Sequence, residues 1–277
     1  MLAVRTVPDL TVHDHLCFVH DGDAEARRNL VEYAVAGLAR RERVCVCAAA
    51  SIDGDLRAYG LPVSDLVDSG KLVIDSAERA PLAGGIADPG RRLAAYADAA
   101  GSALAEGFTG LRVYVETHFL RESPAAWPGY ELRVDLLAKQ LPVTAVCAYD
   151  ARVWNRRDLL LAETIHTRRS RGHSTYRLCA GRDGTLWLSG EVDFLAADQL
   201  YRLLVGVVPD WPTAVLDVSG LGFVDVQGAR SLGTACEEIA GRRGPTTLRG
   251  GTPLLRGMWE PADWSELFPN VLLEDRR

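Results

Sequence analysis

Lysine is scarce in this sequence. Of the 31 basic residues in a chain of 277, 29 are arginine and the only lysines are Lys71 and Lys139. A phosphate-binding loop of the Walker type needs the pattern G-x-x-x-x-G-K-[ST], in which backbone amides and the lysine hold the phosphates. Lys71 follows Gly70, but Asp65 stands where the first glycine of that pattern is required. We therefore expect no ATP site of this type.

Four further features are missing, and each excludes a class of protein. The six cysteines form no C-x-x-C pair, which excludes a zinc knuckle and a thioredoxin motif. No segment reaches the roughly 18 consecutive apolar residues of a membrane helix, and the N-terminus is too polar for a signal peptide. The formal net charge of −6 argues against a general nucleic-acid binder, which needs a basic face. We expect a cytoplasmic protein that contacts neither nucleic acid nor membrane directly.

Residues 1–166 alternate apolar runs with segments of helical periodicity and form the first of two predicted domains. Strands are predicted at 16–20, 43–50, 71–77, 111–116 and 142–150, and helices at 23–40, 53–59, 63–68, 91–106, 128–140 and 157–166. Between them, PLAGGIADPG (81–90) is rich in glycine and proline and is predicted as a loop. Because the strands are almost continuously apolar, they predict an α/β fold with a mostly parallel sheet covered on both faces.

Residues 175–277 form the second predicted domain, which is also α/β. It begins with a hairpin of two short strands around Arg182-Asp183-Gly184. Helices are then predicted at 195–207, 226–242 and 261–270, and strands at 213–219, 245–250 and 271–274. The segment TRRSRGHS (167–174) is polar, basic and without apolar periodicity, so we predict a linker there. The alternative is an exposed extension of the last helix of the first domain.

Two stretches of the second domain carry a family resemblance. They are LWLSGEVDFLAADQL (186–200) and AVLDVSGLGFVDVQGARSL (214–232). Together they resemble the STAS domain of anti-sigma-factor antagonists, with matching positions at Gly190, Glu191, Asp193, Asp217, Ser219, Phe223, Asp225 and Gly228. The resemblance covers essentially all of 175–277. It implies that this domain docks on a regulatory protein, such as an anti-sigma factor.

The second of these stretches predicts a helix that starts near Val226. The first amides of a helix lack partners and carry partial positive charge, so they can receive an acceptor group from a partner. We expect a loop that carries Phe223 inward and Asp225 outward, and Asp225 serves as an N-cap, as a docking residue or as both. The candidate docking residues are Ser219, Asp225, Gln227, Gly228 and Ser231.

The phosphorylation site of this family is altered in the sequence. In the phosphorylatable members, the resemblance implies the pattern Asp-Ser-Ser/Thr-Gly, whose second hydroxyl residue is modified by a partner kinase. Here the corresponding residues are Asp225-Val226-Gln227-Gly228, and Gln227 has no hydroxyl group. Ser231 lies one turn further on and is out of register. We therefore expect a docking module without the usual phosphorylation.

The first domain resembles a second family. The segments at 13–48 and 141–150, with a last helix that ends in His166, resemble the MEDS domain, a sensory domain named for methanogen and methylotroph regulators. These include a dichloromethane-responsive repressor. The resemblance implies a RecA- or KaiC-type core that lacks a working P-loop. The turn after the first strand, His20-Asp21-Gly22-Asp23-Ala24-Glu25, agrees with this, because its three carboxylates would repel a triphosphate.

The same resemblance implies a pocket for a small ligand. In a parallel sheet, ligands bind at the carboxyl ends of the strands. The candidate ligand-binding residues are His15, Cys17, Glu116, Glu131, Cys147, Tyr149 and His166, and we expect them to converge. The loops around Trp127 and Trp154 would line such a pocket or pack in the core.

Other interpretations of these residues stay open. His, Cys and Glu together are competent metal ligands, although Cys147 alone suits a buried apolar thiol and His166 suits a helix C-terminus. An enzyme would use Glu116 or Glu131 as general base with His15 or His166 as partner, and a scaffold would keep only a vestigial pocket. We expect a non-enzymatic regulator that passes a ligand signal to a partner. An exposed sheet edge would also allow a homodimer.

Overall fold

The computed structural model describes residues 7–48, 52–76 and 89–275, and the chain divides into two compact units between Gly172 and His173. Most of the loop predicted at 81–90, and the ends of the strands predicted at 43–50 and 71–77, lie outside the described residues. None of the helices in the described part combines the length and apolar character needed to cross a bilayer.

The first unit contains a six-stranded parallel sheet between helices. The strands are β1 (His15–His20), β2 (Arg43–Ala48), β3 (Leu72–Ser76), β4 (Leu111–Glu116), β5 (Val143–Asp150) and β6 (Arg168–Arg169), in the order β3-β2-β4-β5-β1-β6. The helices are α1 (Asp23–Ala39), α2 (Asp53–Ala58), α3 (Val63–Asp68), α4 (Pro89–Ala105), α5 (Trp127–Gln140) and α6 (Arg156–Thr164). All the strand pairs are parallel, so the predicted fold class is confirmed.

The two faces of this sheet differ in chemistry because strand side chains alternate between them. Leu16 and Phe18 of β1 belong to an apolar core that also includes residues of α1 and α2. The alternate residues of β1, His15 and Cys17, point to the opposite face. There His15 meets Glu131 of α5. The polar candidates therefore share the face that α5 covers.

Part of the segment predicted as a linker at 167–174 forms a short strand, and the division between the two units falls inside this segment. Arg168 and Arg169 pair with Leu16 and Cys17 as a sixth strand. Ser170 continues this pairing, since its Oγ accepts a 2.9 Å hydrogen bond from the amide of Val19. The backbone groups on the outer edge of β1 need partners, and this polar segment supplies them. The first unit therefore continues to Gly172.

The second unit contains a five-stranded mixed sheet and four helices in its described part. Its strands are β7 (Tyr176–Ala180), β8 (Leu186–Val192), β9 (Val215–Val224), β10 (Thr246–Arg249) and β11 (Val271–Glu274), in the order β11-β10-β9-β8-β7. Its helices are α7 (Phe194–Val207), α8 (Val226–Arg243), α9 (Pro253–Trp259) and α10 (Trp264–Leu267). The predicted β7-β8 hairpin is confirmed as the antiparallel pair of this sheet, whose other pairs are parallel.

Two details of this unit correct the prediction. Strand β9 runs to Val224 instead of ending at Ser219, and register shifts in its pairing with β8 turn Leu221 and Val224 inward. Phe223 consequently points outward and is 44% exposed, so the expected inward Phe223 was wrong. The helix predicted at 261–270 is shortened to α10, and the sequence did not predict α9, which begins at Pro253 and is capped by Thr252.

Candidate functional site

Four ionisable side chains from distant parts of the chain meet inside the first unit. They come from the first residue of β1, from α5, from the middle of β5 and from the residue beyond the C-cap of α6: His15, Glu131, Cys147 and His166. All four are buried. One nitrogen, oxygen or sulfur atom of each lies within 4.8 Å of the others. We call these four residues the buried cluster.

The distances inside the buried cluster are those of direct contact. Glu131 Oε2 lies 3.3 Å from His15 Nε2 and 3.5 Å from His166 Nε2. It also accepts a 3.2 Å hydrogen bond from the thiol of Cys147. The Cys147 sulfur in turn lies 3.4 Å from His15 Nε2. One carboxylate oxygen therefore contacts all three of the other side chains.

Other groups fix the orientation of the cluster from outside. The hydroxyl of Tyr149 donates a 2.7 Å hydrogen bond to Glu131 Oε1, and Asp135 Oδ1 lies 3.6 Å from His15 Nδ1. His166 Nδ1 lies 2.7 Å from the carbonyl oxygen of Ala162, which can only accept. His166 therefore carries its proton on Nδ1 when neutral, and its Nε2 presents a lone pair to the cluster.

Burial and charge push the pKa values of these groups in different directions. Burial favours a low pKa for His15, but the carboxylates of Asp135 and Glu131 outweigh it and raise the pKa to about 9. Burial and the charge of His15 lower the pKa of His166 to about 4. Burial opposes ionisation of Glu131, yet the two imidazoles lower its pKa to about 2. At neutral pH the metal-free cluster thus holds an imidazolium–carboxylate pair beside a neutral imidazole.

The cavity beside the buried cluster is small. Glu131 and Cys147 line it together with mainly apolar residues such as Val113 and Leu137, and its volume is about 10 Å³. This is close to the space that a single water molecule needs. In this conformation an organic ligand has no room there.

The candidate ligand-binding residues consequently fall into two places. Tyr149 joins the buried cluster through Glu131, and Cys17 lies beside Cys147 in the neighbouring strand without being one of its four members. Glu116, at the end of β4, lines a different cavity. Sequence reasoning missed Asp135, which stands one helical turn after Glu131 and therefore on the same face of α5.

That second cavity is a cleft at the carboxyl ends of β1, β4 and β5, with a volume of about 320 Å³. We call it the edge cleft. Its lining comprises His20, Asp23, Ala26, Arg27, Leu30, Ile52, Glu116, Thr117, His118, Ala148, Asp150, Val153 and Trp154. The cleft lies where parallel sheets bind their ligands.

Two residues that line the edge cleft each carry a buried polar atom without a hydrogen-bond partner within the described ranges: His20 Nδ1 and Trp154 Nε1. The Trp154 ring packs at 5.5 Å from Trp127 and 5.1 Å from Tyr149, measured between ring centroids. Trp154 is therefore both a core residue and part of the cleft wall, which unites the two predicted roles. His20 was not among the predicted site residues, although its place at the end of the first strand pointed to it.

In the second unit, Asp225 connects the starts of two helices. Its Oδ1 accepts a 2.7 Å hydrogen bond from the amide of Gly228, and its Oδ2 accepts a 2.8 Å hydrogen bond from the amide of Phe194. The predicted N-cap is thus confirmed for α8, and the same carboxylate also serves the first residue of α7. Both carboxylate oxygens are occupied within the chain.

The other candidate docking residues differ in exposure. Gln227 is exposed, Ser219 and Ser231 are half-buried, and Gly228 is buried. A Cβ atom at Gly228 would lie 2.5 Å from the carbonyl oxygen of Val192, so this glycine allows close packing instead of offering a surface. Gln227 and Ser231 line a shallow groove of about 350 Å³ along α7 and α8.

Large apolar side chains are exposed around the Asp225 cap. Phe194 is 64% exposed, Leu195 76% and Val226 61%, and Phe223 lies close by in sequence. We call these four residues the apolar face. Clustered exposed apolar side chains mark interaction surfaces more often than single ones do.

Comparison with known families agrees with both halves of the chain. Residues 14–167 match the family described as MEDS, the methanogen/methylotroph, DcmR sensory domain, and this match covers more than half of the chain. Residues 179–273 match the family described as Mlab, STAS domain. The order of the two domains is the predicted one. No curated protein matches the chain.

Proposed function

The chain belongs to the MEDS family and carries a STAS domain, and from that premise we propose that it is a signalling regulator. In this proposal the first unit senses a small ligand in the edge cleft, and the second docks on a regulatory protein such as an anti-sigma factor. The observation that carries the sensing role is the pair of unpartnered polar atoms, His20 Nδ1 and Trp154 Nε1, noted above for the described residues. We also propose that the protein is cytoplasmic, as expected from the sequence.

The chemistry of the edge cleft restricts what it would bind. An indole N–H only donates, so the ligand must bring an acceptor to Trp154. Leaving such a buried donor unsatisfied costs roughly 1–3 kcal/mol, which a well-placed ligand would recover. The lining carries three carboxyl groups, from Asp23, Glu116 and Asp150, against one arginine, Arg27, and Arg152 is already paired with Asp23 and Asp150. The cleft therefore offers a triphosphate little uncompensated positive charge. We propose a small neutral or cationic organic ligand and no ATP.

We also propose binding without turnover. The hydroxyl of Thr117, the one hydroxyl in the lining of the edge cleft as described, donates a 2.8 Å hydrogen bond to the carbonyl oxygen of Ala148. It is therefore not poised as a nucleophile. An enzyme that uses Glu116 as general base is the alternative, and recovery of chemically altered ligand would establish it.

A thermal-shift screen of the full chain against small organic compounds tests the sensing role, because a ligand that binds only the folded state raises the melting temperature. A hit should lose its effect in Trp154→Phe, which removes the N–H group and keeps a ring. Trp127→Phe is the matched control, since Trp127 packs on Trp154 but does not line the cleft. A hit that shifts Trp154→Phe as much as the unmodified chain would contradict the proposal, as would a screen without hits.

The docking role is supported by the apolar face. Titration calorimetry with a panel of purified anti-sigma factors should find a partner whose affinity falls at least tenfold in Val226→Ser. Leu272→Ser is the matched control, because Leu272 is 51% exposed on β11 and lies outside the apolar face. Equal affinity for both variants, or no binding partner, would contradict this assignment. Light scattering of the same samples tests the homodimer.

We propose that the STAS domain is not phosphorylated at the usual position, because Gln227 stands there and has no hydroxyl group. Incubation with cellular kinases followed by phosphopeptide mapping should leave residues 219–234 unmodified in the natural chain. The variant Gln227→Ser places a hydroxyl group at the exposed acceptor position and serves as the positive control, in which phosphate on this residue is expected. Any phosphate on the natural 219–234 segment would refute this part of the proposal.

A further inference from the structure

We propose that the buried cluster binds one divalent transition-metal ion, with zinc as the best match. His15, Glu131, Cys147 and His166 would supply two nitrogen atoms, one oxygen atom and one sulfur atom. This site is separate from the edge cleft, so the proposal stands or falls independently of the ligand proposed above.

The spacing of the donor atoms matches tetrahedral coordination. Zinc binds nitrogen and oxygen at about 2.0–2.2 Å and sulfur at about 2.3 Å, which places tetrahedral ligand atoms roughly 3.3–3.6 Å apart. Four of the six donor–donor separations measure 3.2, 3.3, 3.4 and 3.5 Å. The remaining two lie within 4.8 Å. Small side-chain shifts would complete the geometry.

The orientation of His166 points to a cation. Its Nε2 has no hydrogen-bond partner among the described residues, and it faces Glu131 Oε2 at 3.5 Å. Because the Nδ1 proton is directed to Ala162, two lone pairs face each other in a fully buried place. Such an arrangement is unfavourable unless a proton or a metal ion lies between the two atoms, and a metal ion would satisfy both lone pairs at once.

The outer contacts are those of a metal site. A ligating histidine usually directs its other ring nitrogen to a carboxylate or a carbonyl oxygen, which fixes the ring. His166 directs Nδ1 to Ala162, and Glu131 is held through its other oxygen by Tyr149. His15 Nδ1 lies 3.6 Å from Asp135 Oδ1, just beyond hydrogen-bond distance, and has no hydrogen-bond partner among the described residues. Two of these three ligands thus have a supporting partner, and a small shift would bring Asp135 into contact with the third.

Metal binding would also release a proton. A thiol must ionise to bind a metal ion, so binding of one M²⁺ would release the thiol proton of Cys147 to solvent, and His15 Nε2 must likewise carry no proton in the bound state. A closed site with four protein ligands would hold β1, β5, α5 and the residue after α6 together, which is the behaviour of structural zinc.

The experiment uses the full natural chain, stripped of metal with a chelator and titrated with Co²⁺ and Zn²⁺. We expect one equivalent of each metal to bind, with a rise in melting temperature. Bound Co²⁺ should show the visible absorption of tetrahedral coordination and a thiolate-to-cobalt charge-transfer band. Failure to bind one equivalent, or a spectrum of octahedral cobalt without thiolate, would overturn the proposal without any variant being needed.

Variants assign the ligands. Cys147→Ser should abolish the charge-transfer band, whereas Cys17→Ser, which changes a buried thiol beside Cys147 in the sheet, should keep it. Asp135→Asn should weaken metal binding by about 10- to 100-fold, the loss typical of removing an outer partner of a ligand. Retention of the band in Cys147→Ser, or its loss only in Cys17→Ser, would refute this assignment.

Discussion

Each unit contains side chains in an energetically unfavourable environment, and the two environments are opposite. The first unit buries four ionisable side chains in one cluster, and the second exposes the large side chains of Phe194, Leu195, Phe223 and Val226. Burial of a charge is unfavourable unless it is paired, and exposure of an apolar side chain forgoes the stabilisation of burial. A buried pair of charges still carries a desolvation cost, so both arrangements are unfavourable for stability and indicate two separate uses. The comparison suggests that the interior of the first unit binds and the surface of the second unit docks.

The two regions also differ in how the chain assembles them. The buried cluster draws on residues as distant as His15 and His166, brought together by a parallel sheet and two helices. The apolar face comes from two short stretches joined by the hydrogen bonds of Asp225. The cluster therefore depends on the complete fold of its unit, whereas the face depends mainly on two helix starts.

The largest expected effect comes from removing the central carboxylate of the buried cluster. Glu131→Ala leaves His15 buried without its nearer carboxylate and the hydroxyl of Tyr149 without its acceptor. Breaking a buried ion pair typically costs about 3–5 kcal/mol. We expect a loss of that size in the free energy of unfolding of the metal-free first unit, measured by hydrogen exchange of the β5 amides.

The control for this prediction is Glu122→Ala, which removes an exposed carboxylate of the same unit. It should change the free energy of unfolding by less than about 0.5 kcal/mol. If Glu131→Ala were equally harmless, the buried cluster would contribute nothing to the fold, and the contrast between the two units would lose its basis.

The layout of the first unit was predictable because parallel strands leave a strong local signal. The apolar runs that became β1, β4 and β5 are visible one by one, and the helices between them show the spacing of amphipathic segments. The pairing of Arg168 and Arg169 with β1 was not visible, because two polar residues have no periodicity. An edge strand of this length forms through backbone hydrogen bonds, which sequence hardly specifies.

The candidate site was only partly predictable for a similar reason. The family resemblance named His15, Glu131, Cys147 and His166, and the structure brings these four together. It did not separate Glu116 from them, because the pairing of Glu116 with Ala148, one residue beyond Cys147, is visible only in the fold and places Glu116 on the opposite face of the sheet. The outward turn of Phe223 depends on register shifts between β8 and β9, which alternation alone does not reveal.

The second-largest effect on stability is expected in the second unit, where Gly228 packs beneath the apolar face. In Gly228→Ala the new Cβ atom would meet the carbonyl oxygen of Val192, and overpacking of this kind costs about 1–3 kcal/mol. Gly241→Ala is the matched control on the same helix, since a Cβ there meets no atom within 4 Å. The control should stabilise the second unit by about 0.4–1 kcal/mol. Chemical denaturation of both variants should therefore give opposite signs, and equal signs would disprove the close contact.

A smaller effect is expected at the cap that joins the two helix starts. Asp225→Ala removes the acceptor for the amides of Gly228 and Phe194, and loss of an N-cap costs about 0.5–2 kcal/mol. Asp198→Ala on α7 removes only an exposed pair with Arg202, worth about 0.3–0.5 kcal/mol. Denaturation midpoints should rank the two variants in this order. The reverse order would show that Asp225 is not structural and would favour a pure docking role.

The smallest effect on stability is expected on the apolar face itself. Leu195→Ala shortens a side chain that is 76% exposed, so the free energy of unfolding of the second unit should change by less than about 0.5 kcal/mol. Leu200→Ala on the same helix truncates a fully buried leucine and should cost about 2–5 kcal/mol. Urea denaturation of the two variants measures the difference.

A cost above about 1 kcal/mol for Leu195→Ala would mean that the chain already covers this side chain in solution, because a solvated leucine has little packing to lose. Small loss of stability combined with weaker partner binding would instead assign the exposed apolar side chains to docking.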